Sequence, residues 1–271
     1  MVGVAFTDSA VLAAFGLTLL AGLATGIGSV AAFFTRRTNK AFLSSSLGFS
    51  AGVMIYVSFV ELLPAANRLL ADAQGDGPGA WAAALSFLGG VAATALIDLV
   101  IPSAENPHDA SVVEDLQVEG VQPALKRVGL LTAAALALHN FPEGFATFVS
   151  VLHDLRVGIP IAFAIALHNI PEGLAVAIPI YFATGNRRQA FWYSFLAGLA
   201  EPVGAMVGFL ALQRFLTDSV VGASLAAVAG VMVFISLDQL IPNAKKFSQG
   251  HYAVYGLIAG MAVMAFSLLL L

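Results

Sequence analysis

The sequence predicts an all-α integral membrane protein of eight spans, on three observations. Only 10% of the 271 residues are charged and 59% are hydrophobic, whereas a soluble domain carries about 25% charged residues. Mean hydropathy is +0.89, and apolar runs long enough to cross a ~30 Å hydrocarbon core follow one another along most of the chain. Short phrases from the first runs return in the last ones. Open strands leave backbone groups unpaired in lipid, so each run is expected to be a helix.

The expected spans are 9–34, 41–70, 81–101, 124–152, 157–183, 188–212, 219–241 and 251–271. No basic region precedes the first, so it is expected to be a retained span rather than a cleaved leader. The second carries Ser58 and Glu61, three apart on one helical face, with Arg68 nearer its end. The third and seventh end alike, with Asp98 four residues before Pro102 and Asp238 four before Pro242. Residues 102–123 form the one long polar segment. Glu105, His108, Asp109, Glu114, Asp115 and Glu119 make it acidic, and it is expected to have little fixed structure. Trp81, Trp192 and Tyr193 fit an interfacial belt, and His153 and His251 fall at span ends facing water.

Lysine and arginine set the orientation. Loops after the odd-numbered spans hold Arg36, Arg37, Lys40, Lys126, Arg127, Arg187, Arg188, Lys245 and Lys246; the alternate loops hold Arg68, Arg156 and Arg214. Nine against three puts both termini outside the cytoplasm and the acidic loop inside it.

The repeats define the topology further. Ala21-Gly22-Leu23-Ala24 and Gly28 recur 176 positions on as Ala197-Gly198-Leu199-Ala200 and Gly204, and Met54, Ser58 and Pro64 recur 178 on as Met232, Ser236 and Pro242. Spans 1–3 thus match spans 6–8 across an odd displacement of five, so the second copy is inverted. The whole chain is expected to form one 3+2+3 inverted-repeat domain, with small residues at 21–28 and 197–208 letting helices approach closely.

The central two spans carry the chemistry. Ala137-Leu138-His139-Asn140-Phe141-Pro142-Glu143-Gly144 returns as Ala166-Leu167-His168-Asn169-Ile170-Pro171-Glu172-Gly173 with one change. His139 and Glu143 are four apart, as are His168 and Glu172, so each pair shares a helix face, bordered by Asn140 or Asn169. Pro142 and Pro171 cannot donate to the carbonyls of Leu138 and Leu167 and are expected to disturb those turns. Both phrases lie roughly 14–17 Å from the shared turn, about half the hydrocarbon thickness. Polar contacts between helices contribute only about 1–2 kcal/mol, while a charge at a helix centre costs about 2.5–3.5 kcal/mol. Helix adhesion therefore does not account for Glu143, Glu172 and, on the sixth span, Glu201 together. A divalent metal between the fourth and fifth spans does. Imidazole with carboxylate suits Zn²⁺, and the oxygen donors also admit Fe²⁺, Mn²⁺ or Co²⁺.

Composition narrows the rest. The absence of cysteine excludes disulfides, thiolate metal sites and Fe–S clusters, and a net charge of −4 offers no nucleic-acid surface. The expected partners are divalent metal ions and the bilayer, and a homodimer is compatible with the sequence.

The doubled His-Asn-x-Pro-Glu-Gly motif, followed by Glu201-Pro202 on the next span, closely resembles the Zrt/Irt-like (ZIP) metal transporters, nearest their bacterial branch. The resemblance covers essentially the whole chain. It implies uptake of zinc, and often iron, manganese or cobalt, across the cell membrane (in a bacterium, the inner membrane) toward the cytoplasm. It implies two ions, one among His139, Glu143, His168 and Glu172, the other among Asn140, Asn169 and Glu201, with Glu143 and Glu172 bridging. It also implies movement of spans 1, 4, 5 and 6 against 2, 3, 7 and 8. A single His108 stands where relatives carry a His-rich loop, so no strong loop metal store is expected. Two rivals are an intramembrane metalloenzyme and a metal-binding sensor without flux. The chain lacks His-Glu-x-x-His, and neither copy of the motif contains the Glu-x-x-His of di-iron carboxylate proteins, so no enzyme is expected.

Overall fold

With no water in the bilayer to satisfy amides, an apolar chain must close its hydrogen bonds within each segment. The computed structural model describes residues 8–34, 40–100, 122–212, 217–246 and 250–270, and these are helical almost throughout. In order they form α1 (Asp8–Ala32), α2 (Lys40–Val57), α3 (Leu63–Gln74), α4 (Asp76–Val100), α5 (Gln122–His153) and α6 (Leu155–Thr184). There follow α7 (Arg187–Gly198), α8 (Ala200–Leu212), α9 (Asp218–Ile235), α10 (Ile241–Lys246) and α11 (Tyr252–Leu270).

Among the described residues seven stretches are long and apolar enough to cross a membrane: Ser9–Val30, Lys40–Gln74, Asp76–Leu96, Leu155–Ile178, Arg187–Ala211, Asp218–Lys246 and Tyr252–Leu269. The remaining expected span corresponds to α5, which is not one of the seven. The acidic loop, with Glu105 and His108, lies outside the described residues, although α5 already begins at Gln122.

Several expected boundaries shift for local reasons. The second span continues to Gln74 and the third starts at Asp76, because Gly75 alone makes the turn at a φ of +88°. The α5–α6 connection is as short, with Asp154 capping α6 by accepting from the Arg156 amide at 2.8 Å. Asn186 and Thr217 cap α7 and α9 in the same way.

The prolines behave differently from one another. Contrary to expectation, α5 and α6 run unbroken through Pro142 and Pro171. The sixth span is interrupted at Leu199, between α7 and α8. Pro202 has no N–H for the Gly198 carbonyl four residues back, so the interruption falls just ahead of it.

In the second and seventh spans the helix widens instead. Ser58–Leu62 and Ser236–Leu240 are π-turns, closed by the amides of Leu63 and Ile241 on the carbonyls of Ser58 and Ser236, five residues back. Each precedes a proline, Pro64 or Pro242, whose ring would collide with a carbonyl in a regular turn. Ser58 and Glu61 therefore sit in a widened turn, not on the regular helical face the spacing predicts.

The helices pack into two blocks. One contains α1, α5, α6, α7 and α8; the other contains α2, α3, α4, α9, α10 and α11. They meet chiefly where α2 lies against α6 and α5 against α9.

Within each block the closest crossings are backbone on backbone. A Cβ on Gly28 would strike the Ile170 carbonyl and one on Gly173 that of Thr25, which joins α1 to α6. Gly204 meets Phe141, and Gly144 meets Glu201, in the same way between α8 and α5. Gly22 of α1 and Gly198 of α7 meet each other. In the second block Gly52 meets Leu257 and Gly260 meets Phe49, matched by Gly230 against Phe87 and Gly90 against Ala227. Phe148 packs on Phe15 and Phe209, with ring centroids 4.7 and 5.3 Å away, filling the space between α1, α5 and α8.

Gly28→Ala should force α1 off α6 at a cost of roughly 1–3 kcal/mol, lowering the thermal midpoint in detergent by roughly 3–10 °C. Gly16→Ala on the same helix, where a Cβ meets nothing within 4 Å, should leave the midpoint unchanged or raise it slightly.

Candidate metal centre

The two halves of the central hairpin run antiparallel, so the doubled phrase is brought to one level from opposite directions. Glu143 and Asn140 on α5, His168, Asn169 and Glu172 on α6, and Glu201 at the start of α8 are all buried; Glu172 is the most exposed, at 6%. Six of the seven residues that the sequence nominates thus lie between helices rather than toward lipid. The side chain of the seventh, His139, lies outside the described residues.

His168 is the hub of one group. Its Nε2 is 3.2 Å from Glu143 Oε2 and 4.0 Å from Glu172 Oε1. Nε2 thus faces both carboxylates, as a ring nitrogen sharing a cation with them would. A tetrahedral ion with bonds of ~2.1 Å separates its ligands by roughly 3.4 Å, so His168 and Glu172 would close by a few tenths of an ångström on binding. Consistent with that, among the described residues no three His, Asp or Glu side chains are already gathered as a finished metal cluster. His168 Nδ1 is buried without a hydrogen-bond partner in the described structure.

The asparagines form the second group. Asn169 donates from Nδ2 to the Ala21 carbonyl at 2.8 Å and also to Glu201 Oε1. Asn140 Nδ2 donates to the Ala197 carbonyl at 3.3 Å. Each amide thereby fixes its own orientation, with the nitrogen toward a neighbouring helix and the oxygen left over. Asn140 Oδ1, Asn169 Oδ1 and Glu201 Oε2 are buried acceptors with no hydrogen-bond donor among the described residues. Buried acceptors of this kind are costly to leave unmade unless something positive meets them. The sequence places the amides at the border of the ligand face but gives no sign of their second duty, tying α1 and α7 to the hairpin.

Other nominated groups stand apart. Glu61 is half-buried in its π-turn, where the opposite charge of Arg68 and the like charge of Asp154 act on it. Asp98 is half-buried near the end of α4, and Asp238 is exposed. One buried residue escaped the sequence reading. Thr25 on α1 is fully buried against α7, and a Cβ at Gly198 would lie 2.8 Å from its hydroxyl oxygen. The signal was available, since the 176-residue repeat pairs Thr25 with Glu201.

Known proteins show the family to which the chain belongs. The family model described as ZIP zinc transporter matches residues 102–268. The zinc transporter ZupT of Lysinibacillus sphaericus is 59% identical over 269 residues, covering 97% of this chain and 99% of its own length. The zinc transporters ZupT of Streptococcus mutans and Chlorobium luteolum are 55% and 57% identical, each covering at least 95% of this chain and 97% of their own. Matched in this way along nearly its full length, and built of membrane-spanning helices around a buried His/Asn/Glu cluster, the chain is a multi-pass membrane protein of the ZIP zinc transporter family.

Proposed function

We propose that this protein carries divalent metal ions, zinc foremost, across the membrane into the cytoplasm through a two-ion centre in mid-bilayer. The observation that carries this reading is the burial of three glutamates, a histidine and two asparagines between apolar helices, with oxygens of Asn140, Asn169 and Glu201 meeting no hydrogen-bond donor among the described residues. Zinc is the metal named for its relatives. In this reading His139, Glu143, His168 and Glu172 hold one ion, Asn140, Asn169 and Glu201 hold the second, and Glu143 and Glu172 bridge them. Fe²⁺, Mn²⁺ and Co²⁺ are competitors that the oxygen donors admit.

The proposed topology has eight spans, with α5 as the fourth, in a 3+2+3 inverted repeat, and the whole chain as a single transport domain. The matched glycine crossings support it. Gly28 and Gly204 make corresponding contacts 176 positions apart, on Ile170 and Phe141, which occupy the same place in the doubled phrase. Gly52 and Gly230 do likewise 178 apart. Sliding of the α1/α5–α8 block against the remainder is the proposed route by which the centre faces each side in turn, and the sparse packing between blocks supports it. The excess of lysine and arginine in alternate loops supports external termini, and in a bacterium the inner membrane.

Purified protein in sealed liposomes should accumulate zinc, and Glu143→Gln and His168→Ala should each lower uptake about tenfold or more while inserting normally. Near-normal uptake by both variants refutes the assignment. Ligand carboxylates and imidazoles must be deprotonated to bind metal, so affinity should fall as pH drops from 7.5 to 5. A dye-competition titration that gives the same affinity at both pH values contradicts a His/Glu centre.

A further inference from the structure

The repeat relates Thr25 on α1 to Glu201 on α8, and the contacts around the two correspond. A Cβ on Gly173 would strike the Thr25 carbonyl, and one on Gly144 the Glu201 carbonyl. Asn169 is tied to Ala21, four residues before Thr25, and Asn140 to Ala197, four before Glu201. Asn169 also donates to Glu201; the corresponding pair is Asn140 with Thr25. In that second pair the Thr25 hydroxyl and Asn140 Oδ1 are both fully buried without hydrogen-bond partners among the described residues.

A threonine in a buried helix ordinarily returns its hydroxyl to the carbonyl four residues back. Thr18 does so on Ala14 at 2.8 Å, and Thr147 on Glu143 at 2.9 Å. Thr25 does not, and Gly198 leaves room beside its Oγ1 where any side chain would intrude.

We propose that Thr25 Oγ1 is a further donor to the ion held by Asn140, Asn169 and Glu201, and that it biases this position toward harder cations. The inference rests on the two-ion centre proposed above. Two amide oxygens, the Glu201 carboxylate, the bridging carboxylates of Glu143 and Glu172 and one hydroxyl make an all-oxygen set, which suits Mn²⁺ better than the imidazole-containing set around His168 does. A neutral hydroxyl, where the repeat has a carboxylate on the other side, also limits the negative charge at this position, so the ion is held less tightly.

The test compares Mn²⁺ and Zn²⁺ uptake by the full-length protein in liposomes. Thr25→Val keeps the shape and removes the oxygen, Thr25→Ser keeps the oxygen, and Glu201→Gln reports on the centre itself. Thr25→Val should reduce Mn²⁺ uptake about tenfold and Zn²⁺ uptake by a smaller factor, and Thr25→Ser should restore the wild-type ratio. A loss from Glu201→Gln with an unchanged Mn²⁺/Zn²⁺ ratio in Thr25→Val overturns the role of Thr25 and spares the centre. Wild-type uptake by Glu201→Gln overturns the second ion position and with it this inference. An equal loss of both metals in Thr25→Val, with a lowered thermal midpoint, assigns Thr25 to packing and overturns the proposal as well.

Discussion

Glu143, Glu172 and Glu201 buried among apolar helices constrain everything near them. A carboxylate deep in hydrocarbon is tolerated only with a compensating partner at hand. The local architecture follows from that demand. His168 lies against two of the carboxylates, Asn169 against the third, and the asparagine amides spend their N–H groups on the carbonyls of Ala21 and Ala197. Those two bonds make α1 and α7 part of the centre's wall. The polar residues thus specify which helices gather round the hairpin.

The glycines answer the other half of the problem. Lipid tails are as apolar as leucine, so helices in a bilayer are held together by close packing and not by expulsion of water. The Gly28–Ile170 and Gly204–Phe141 crossings bring backbones into contact on either side of the buried cluster. A side chain at either position would spread the wall and loosen the geometry on which the 3.2 and 4.0 Å separations of His168 from Glu143 and Glu172 depend.

Much of this was legible in the sequence, and the limits are physical. The doubled phrase exposes its buried polar cluster because charged and imidazole groups in apolar runs have few reasons to exist other than a polar partner, and a spacing of four puts each pair on one face. Seven of the expected spans follow from hydropathy among the described residues. What escaped depends on partners remote in sequence. Nothing local to Asn140 announces that its amide meets the carbonyl of Ala197, and nothing local to Thr25 separates a free hydroxyl from one bonded within its own helix. Proline proved ambiguous for a related reason. A missing N–H is absorbed within a continuous helix at Pro142 and Pro171, by a one-residue break before Pro202, and by a widened turn before Pro64 and Pro242. Which outcome occurs is decided by the neighbours. The stretch around Gly75 looked like a loop because it is polar, yet a single glycine completes the reversal.

The paired widened turns have a geometric effect of their own. A helix that takes in one extra residue rotates everything beyond it by about 100° around its axis. The rod made of α2 and α3 accordingly points its flank toward α11 along one half and toward α4 and α9 along the other, while α9 and α10 turn from α4 and α3 toward α2. By changing azimuth midway, each of these serves as a shared partition wall that presents its two halves to different sets of helices.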